Sequence, residues 1–173
     1  IPTYIANRHN PQNIRYKTPQ LAHILDVTNG CIVYQEQVMQ ICRELAGFSY
    51  GQADLVRRAM SKKKQAVMDA ERRHFVYGST EPGRECPGCV NNGISAEVAN
   101  SIYDEMSSFA SYAFNKSHAA CYAVVAYQTA YLKCHYPCQF MAALLTSVLD
   151  NTNKVIQYTA ECSRLGIRLL APD

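Results

Sequence analysis

Residues 111–137 read SYAFNKSHAACYAVVAYQTAYLKCHYP. Between His118 and His135 there is no glycine or proline and apolar residues dominate, so the stretch predicts a long helix over 118–135. Pro137 stops it, because the residue before a proline is pushed out of the helical region. Ser117 is the expected N-cap, its hydroxyl accepting from a free backbone N–H of the first turn. A cap explains one residue of the run Asn115, Lys116, Ser117, His118 and leaves three. His118 and Tyr122 are four apart and share a face at the mouth of the helix. A ring donor, a flat aromatic surface and a hydroxyl beside open backbone N–H groups suit a phosphate, a sugar and a base. A capped helix with a structural histidine is the competing reading.

Working outward, the neighbouring segments also read as helices. TPQLAHILDVTNG (18–30) is a short helix closed by Gly30, and CIVY (31–34) is a short strand or extended connector. QEQVMQICRELAG (35–47) places Val38, Ile41, Cys42 and Leu45 at helical spacing and ends at Gly47. Ser49 caps the next helix, whose buried face is Val56, Ala59 and Met60, with Arg57 and Arg58 largely off it. A basic helix is expected over 61–78, then a loop over 79–94 rich in Pro, Gly and Asn. Ser95 caps a helix striped by Val98, Ile102, Met106 and Phe109. Helices follow over about 138–149 and 152–165, and IRLL (167–170) closes the chain as a possible strand. The expected class is mainly α, a helical domain with one or two very short strands or extended connectors.

The 173 residues suit one domain, or two small ones. An apolar share of 48% is ordinary, and a net charge of +3 permits a phosphate or nucleic-acid partner without requiring one. No stretch is apolar enough to cross a bilayer, and the first residues do not read as a signal peptide. The chain starts at Ile1, so a piece of a longer protein is expected. Eight cysteines lie mostly inside apolar helical patterns, which points to free thiols in a reducing, cytoplasmic setting.

DLVRRAMSKKK (54–64) concentrates Arg57, Arg58, Lys62, Lys63 and Lys64 at a junction between helices. Lysines at a helix head oppose its dipole, a conflict that a bound anion relieves. The arginines can grip phosphate oxygens in bidentate fashion. On charge alone a solvated face is the leading reading. Cys86 and Cys89, in CPGC, have zinc-knuckle spacing but no second pair follows, so a weak metal site and two incidental thiols are both readings. Carboxylates are scattered, and no Asp-x-Asp pair, catalytic triad or phosphate-loop motif occurs. The chain reads as a binding piece without its own reaction centre.

Three long strings decide more than any single residue: GCIVYQEQVMQICRELAGFSYGQADLVRRAMSKKK, FASYAFNKSHAACYAVVAYQTAYLKCHYPCQFMAALLTSVLDN and ECSRLGIRLLAPD. They closely resemble the bacterial replicative DNA polymerase III α subunit of the DnaE type, across essentially the whole chain and in the family's order. The resemblance implies a fingers domain over 1–173 within a larger polymerase. The loop 79–94 around CPGC is its least family-general part. A palm domain with the catalytic aspartates and two magnesium ions is implied N-terminal to this segment. So are dNTP and template-primer DNA as partners, and a cytoplasmic, nucleoid-associated setting. A sliding clamp and an exonuclease would be met through regions outside the chain. By the same resemblance Arg57 and Arg58 would grip the triphosphate, and Lys62 and Lys63 would touch phosphate or DNA backbone. Asn115, Lys116, Ser117, His118 and Tyr122 would bind the nucleotide, with Ser117 and His118 by the sugar, where a 2′-hydroxyl can be excluded, and Tyr122 a wall near the sugar or base. VYQEQVM would pack at the palm border. The remaining alternative is a non-enzymatic helical nucleic-acid-binding module, zinc-stabilised through Cys86 and Cys89.

Overall fold

Gly47 takes the left-handed conformation (φ 71°) and stops the helix before it, as its position after LeuAla implies. The computed structural model describes residues 1–62, 64–110 and 114–170. In chain order its α-helices are α1 (Pro2–His9), α2 (Ala22–Leu25), α3 (Gln35–Ala46), α4 (Tyr50–Ser61) and α5 (Gln65–Tyr77). They continue with α6 (Gly88–Asn91), α7 (Ala96–Ala110), α8 (Lys116–His135), α9 (Pro137–Thr146) and α10 (Thr152–Arg164). The fold is mainly α. Among the described residues strands shrink to two bridges, Tyr34 with Phe114 in parallel and Ser79 with Cys86 antiparallel. CIVY therefore contributes one bridging residue. IRLL stays irregular, since an isolated strand leaves its backbone groups without partners.

Several boundaries move for local reasons. Pro2 sets the first turn of α1, a helix not anticipated from the sequence. Residues 18–30 break into α2 flanked by two 3-10 turns, and Asn29 (φ 52°) shares the left-handed exit with Gly30. Ser49 caps α4 as expected, accepting from the Gln52 N–H at 3.3 Å, while the Gln52 side chain accepts from the Ser49 N–H at 2.8 Å. Ser95 accepts from the Val98 N–H at 3.2 Å. The expected cap at Ser117 is corrected: α8 already begins at Lys116, so Ser117 lies inside its first turn.

The chain divides into two compact units, Ile1–Lys116 and Ser117–Asp173. The first has a continuous core. Val38, Ile41, Cys42 and Leu45 of α3 meet Ala53, Val56 and Met60 of α4, Phe75 and Val76 of α5, and Ile102, Tyr103 and Met106 of α7. Burial of each large apolar side chain is worth about 1.5–3 kcal/mol. Phe75 sits between Phe48 (centroids 6.3 Å, edge-on) and Tyr103 (5.5 Å), and the Tyr103 hydroxyl donates to the Met68 carbonyl at 2.9 Å. Glu71 is buried and paired with Arg84 at 3.2 Å. Among the described residues of the second unit, Met141 of α9 and Cys162 of α10 are the buried apolar ones. The α8 and α10 helices are tied by Lys133 to Glu161 at 2.7 Å. Hydrogen bonds from Arg164 and then Lys133 pull the Glu161 carboxyl down to about 2. All eight cysteines are free thiols, but only Cys42, Cys86, Cys89 and Cys162 are buried; Cys121, Cys134 and Cys138 are exposed.

The glycine of CPGC has a steric reason. Gly88 (φ 75°) lies against Gly78, and a Cβ on Gly88 would stand 2.2 Å from the Gly78 nitrogen. Gly83 also has a positive φ (78°) but faces open space. Gly83→Ala is expected to incur only the left-handed backbone strain, about 1–2 kcal/mol. Gly88→Ala adds a backbone collision and is expected to lower the urea midpoint clearly further, at unchanged slope.

Candidate functional site

The α4 helix carries two rows of residues, and the two arginines fall on different ones. Gly51, Asp54, Leu55, Arg58 and Lys62 recur at intervals of three and four, on one face. Asp54, Leu55, Arg58 and Lys62 line an open cleft of about 330 Å³, together with Lys64 and Val67 at the head of α5. Arg57 points elsewhere. Its Nε and Nη2 donate to Asp54 Oδ1 at 2.9 and 2.7 Å, and its Nη1 donates to Gln35 Oε1 at 3.2 Å. Its side chain is 26% exposed. Arg58 bonds the other oxygen, Nη2 to Oδ2 at 2.7 Å, and is 68% exposed. Arg57 is thus woven into the structure, and Arg58 presents most of its guanidinium to the cleft.

The hydrogen bond from Arg57 is the main reason the Asp54 carboxyl sits below the ordinary carboxylate range, with both guanidinium charges adding to it against the cost of burial. The lysines divide by position. Lys62 is the C-cap of α4, where a cation favours the dipole, so the expected conflict at a helix head does not apply to it. Lys64 is the N-cap of α5 and does oppose that dipole. Lys63 lies outside the described residues. Lys64, to which the family resemblance gave no phosphate contact, lines the cleft with Lys62.

Asn115 and Lys116 meet the first turn of α3. Glu36 Oε1 accepts from Asn115 Nδ2 at 3.0 Å, and Glu36 Oε2 accepts from the Lys116 N–H at 3.1 Å. The backbone beside them pairs as well, Gln35 N–H to Phe114 O at 3.1 Å. The Lys116 ammonium lies 5.9 Å from the centre of the Tyr34 ring. A carboxylate of the chain therefore already occupies the anion position at the head of α8. Further along α8, the His118 and Tyr122 rings pack at 4.5 Å between centroids, confirming their shared face, and Tyr122 is 63% exposed.

Cys86 and Cys89 are buried in the first unit, with Cys86 Sγ 3.7 Å from the His74 carbonyl oxygen. Burial raises both thiols, Cys89 to about 12, which opposes the thiolate a metal needs. Among the described residues no three His, Cys, Asp or Glu side chains are grouped to hold a metal ion. No helix among them is long and apolar enough to cross a membrane.

A family model for the finger domain of the bacterial DNA polymerase III alpha subunit matches residues 1–83, a span that holds the whole arginine cleft. The DNA polymerase III alpha subunit of Bacillus subtilis (strain 168) is 46% identical over all 173 residues, and that of Escherichia coli (strain K12) is 44% identical over 178 aligned positions. This chain belongs to the DNA polymerase III α subunit family. It spans 15% and 14% of those two relatives, and the part of it that matches the finger domain is residues 1–83. The Asn115–Tyr122 cluster lies beyond the finger model but inside the stretch aligned with both relatives.

The depressed carboxyl of Asp54 has a definite pH signature in this fingers segment. A group whose folded pKa lies below its unfolded value, ~3.9 for aspartate, stabilises above that value and loses its contribution as pH falls through the folded one. Asp54→Asn is therefore expected to cost about 1 kcal/mol near pH 7, and the difference from wild type should shrink below about pH 4, as read by urea unfolding at each pH.

Proposed function

We propose that this segment forms the fingers of a replicative DNA polymerase, binding the incoming dNTP and positioning it on template-primer DNA for nucleotidyl transfer. The observation that carries the reading is Arg58, mostly exposed in a cleft shared with Lys62 and Lys64. A triphosphate needs its charge neutralised and its reacting phosphorus held in line, and a guanidinium beside two ammonium groups supplies both. Arg58 makes the primary grip. Arg57 supports it by holding Asp54, and adds its own charge when a triphosphate competes with that carboxylate. Lys62 and Lys63 complete the phosphate or DNA-backbone contact.

Asn115, Lys116, Ser117, His118 and Tyr122 serve the sugar and base. Glu36 already sits on the Lys116 N–H, so the triphosphate belongs with the arginine cleft and not with the head of α8. The His118 and Tyr122 rings, 4.5 Å apart and tilted by 48°, form a wall, and such a wall penalises a 2′-hydroxyl without improving the fit of deoxyribose. The donor set of this chain does not fit a magnesium site: Asp54 is engaged by both arginines, and no acidic cluster stands beside it among the described residues. The two magnesium ions, the palm, the clamp and the exonuclease belong to the rest of the parent assembly, and the isolated segment is inactive in primer extension.

Single-turnover primer extension by a full-length α subunit carrying this segment tests the reading. Arg58→Ala is expected to weaken dNTP binding at least tenfold, about 1.4 kcal/mol, with primer-template affinity unchanged. Equal dNTP affinity in variant and wild type would sink the assignment. His118→Ala is expected to raise ribonucleotide insertion relative to dNTP insertion, measured as the ratio of kcat/KM values.

A further inference from the structure

The first turn of α3 touches both parts of the proposed site through consecutive residues. Gln35 accepts from Arg57 Nη1 at 3.2 Å, and its N–H donates to the Phe114 carbonyl at 3.1 Å. Glu36 accepts from the Asn115 side chain at 3.0 Å and from the Lys116 N–H at 3.1 Å. We infer that Glu36 is a positioning residue: it latches the Asn115–Lys116 backbone to α3 and, through its neighbour Gln35, sets that backbone in register with the arginine cleft. The inference rests on the dNTP reading above and adds a residue to it. Three features support it. Both carboxylate oxygens are used, which fixes the carboxylate plane. The partner nitrogens lie 79 and 80 residues away in sequence, so the contact closes a long loop. One negative charge serves two helix heads at once, since Glu36 is the acidic residue in the first turn of α3 and caps a backbone donor of α8.

A positioning role acts on rate more than on affinity, because small misplacements of a reacting group cost rate steeply. In a full-length α subunit carrying this segment, Glu36→Ala is expected to lower the saturating rate of dNTP incorporation at least tenfold, with dNTP affinity within threefold of wild type. Asn115→Asp sets a second carboxylate against Glu36 and should slow incorporation similarly. Adding Glu36→Gln to Asn115→Asp rebuilds the pair with reversed polarity: the introduced amide donates to the introduced carboxylate and still accepts from the Lys116 N–H. The double variant should incorporate dNTP at least threefold faster than Asn115→Asp alone. A double variant as slow as Asn115→Asp alone overturns the latch, because the defect is then direct repulsion of the nucleotide. So does a Glu36→Ala variant at the wild-type rate, or one that loses affinity as Arg58→Ala does. The rescue arm reads the latch whatever Arg58→Ala does to affinity, so the two failures remain distinct.

Discussion

The buried amide of Gln37 is the constraint on which the first unit depends. It is 5% exposed, and each of its atoms is used twice. Its oxygen accepts from the N–H groups of Val33 and Tyr34 at 2.9 Å each, and its nitrogen donates to the Ile24 carbonyl at 3.0 Å and the Thr28 hydroxyl at 2.7 Å. A buried amide left unpaired would cost about 1–3 kcal/mol per group, so this set of four bonds permits one path for residues 24–34. That path brings the extended connector to the head of α3. Tyr34 can then bridge to Phe114, and Gln35 and Glu36 can face outward to Arg57, Asn115 and Lys116. The three residues Gln35, Glu36 and Gln37 thus have three separate tasks within one helical turn.

Charge in the cleft is arranged around a single carboxylate. Asp54 offers one oxygen to Arg57 and the other to Arg58, so two guanidinium groups share one negative charge and the cluster remains net positive. Arg57 is held on three nitrogens and has little freedom, which makes it a support. Arg58 is held on one and keeps donors for a ligand. A more highly charged anion entering the cleft would meet a pre-aimed group and would not have to order a loose side chain first, which reduces the entropy cost of binding.

Much of the helical skeleton was legible. Gly47, Ser49, Ser95, Pro137 and Gly166 mark boundaries through backbone geometry that depends only on neighbouring residues. The apolar stripes of α3, α4 and α7 are local periodicities for the same reason. The row Asp54, Arg58, Lys62 was also present at helical spacing and was overlooked in favour of the adjacent arginines. The short strands were overread, because a strand exists only through a partner that a local pattern does not reveal. The head of α8 lies two residues before the one expected with a cap at Ser117, and a distant residue, Glu36, serves the first helical N–H.

Residue order alone established a mainly α chain, free thiols, a basic junction at 57–64 and the family strings, because each depends on composition or on spacing along a few turns. Tertiary structure decided which arginine faces the cleft, that Lys64 joins it, that Cys86 and Cys89 are buried, and that Glu36 holds the head of α8. Those outcomes depend on contacts beyond a local pattern, such as Gln35 with Arg57 at 22 positions and Glu36 with Lys116 at 80. Such contacts form only where burial makes an unmet polar group costly, and no local pattern in the chain records where that will be.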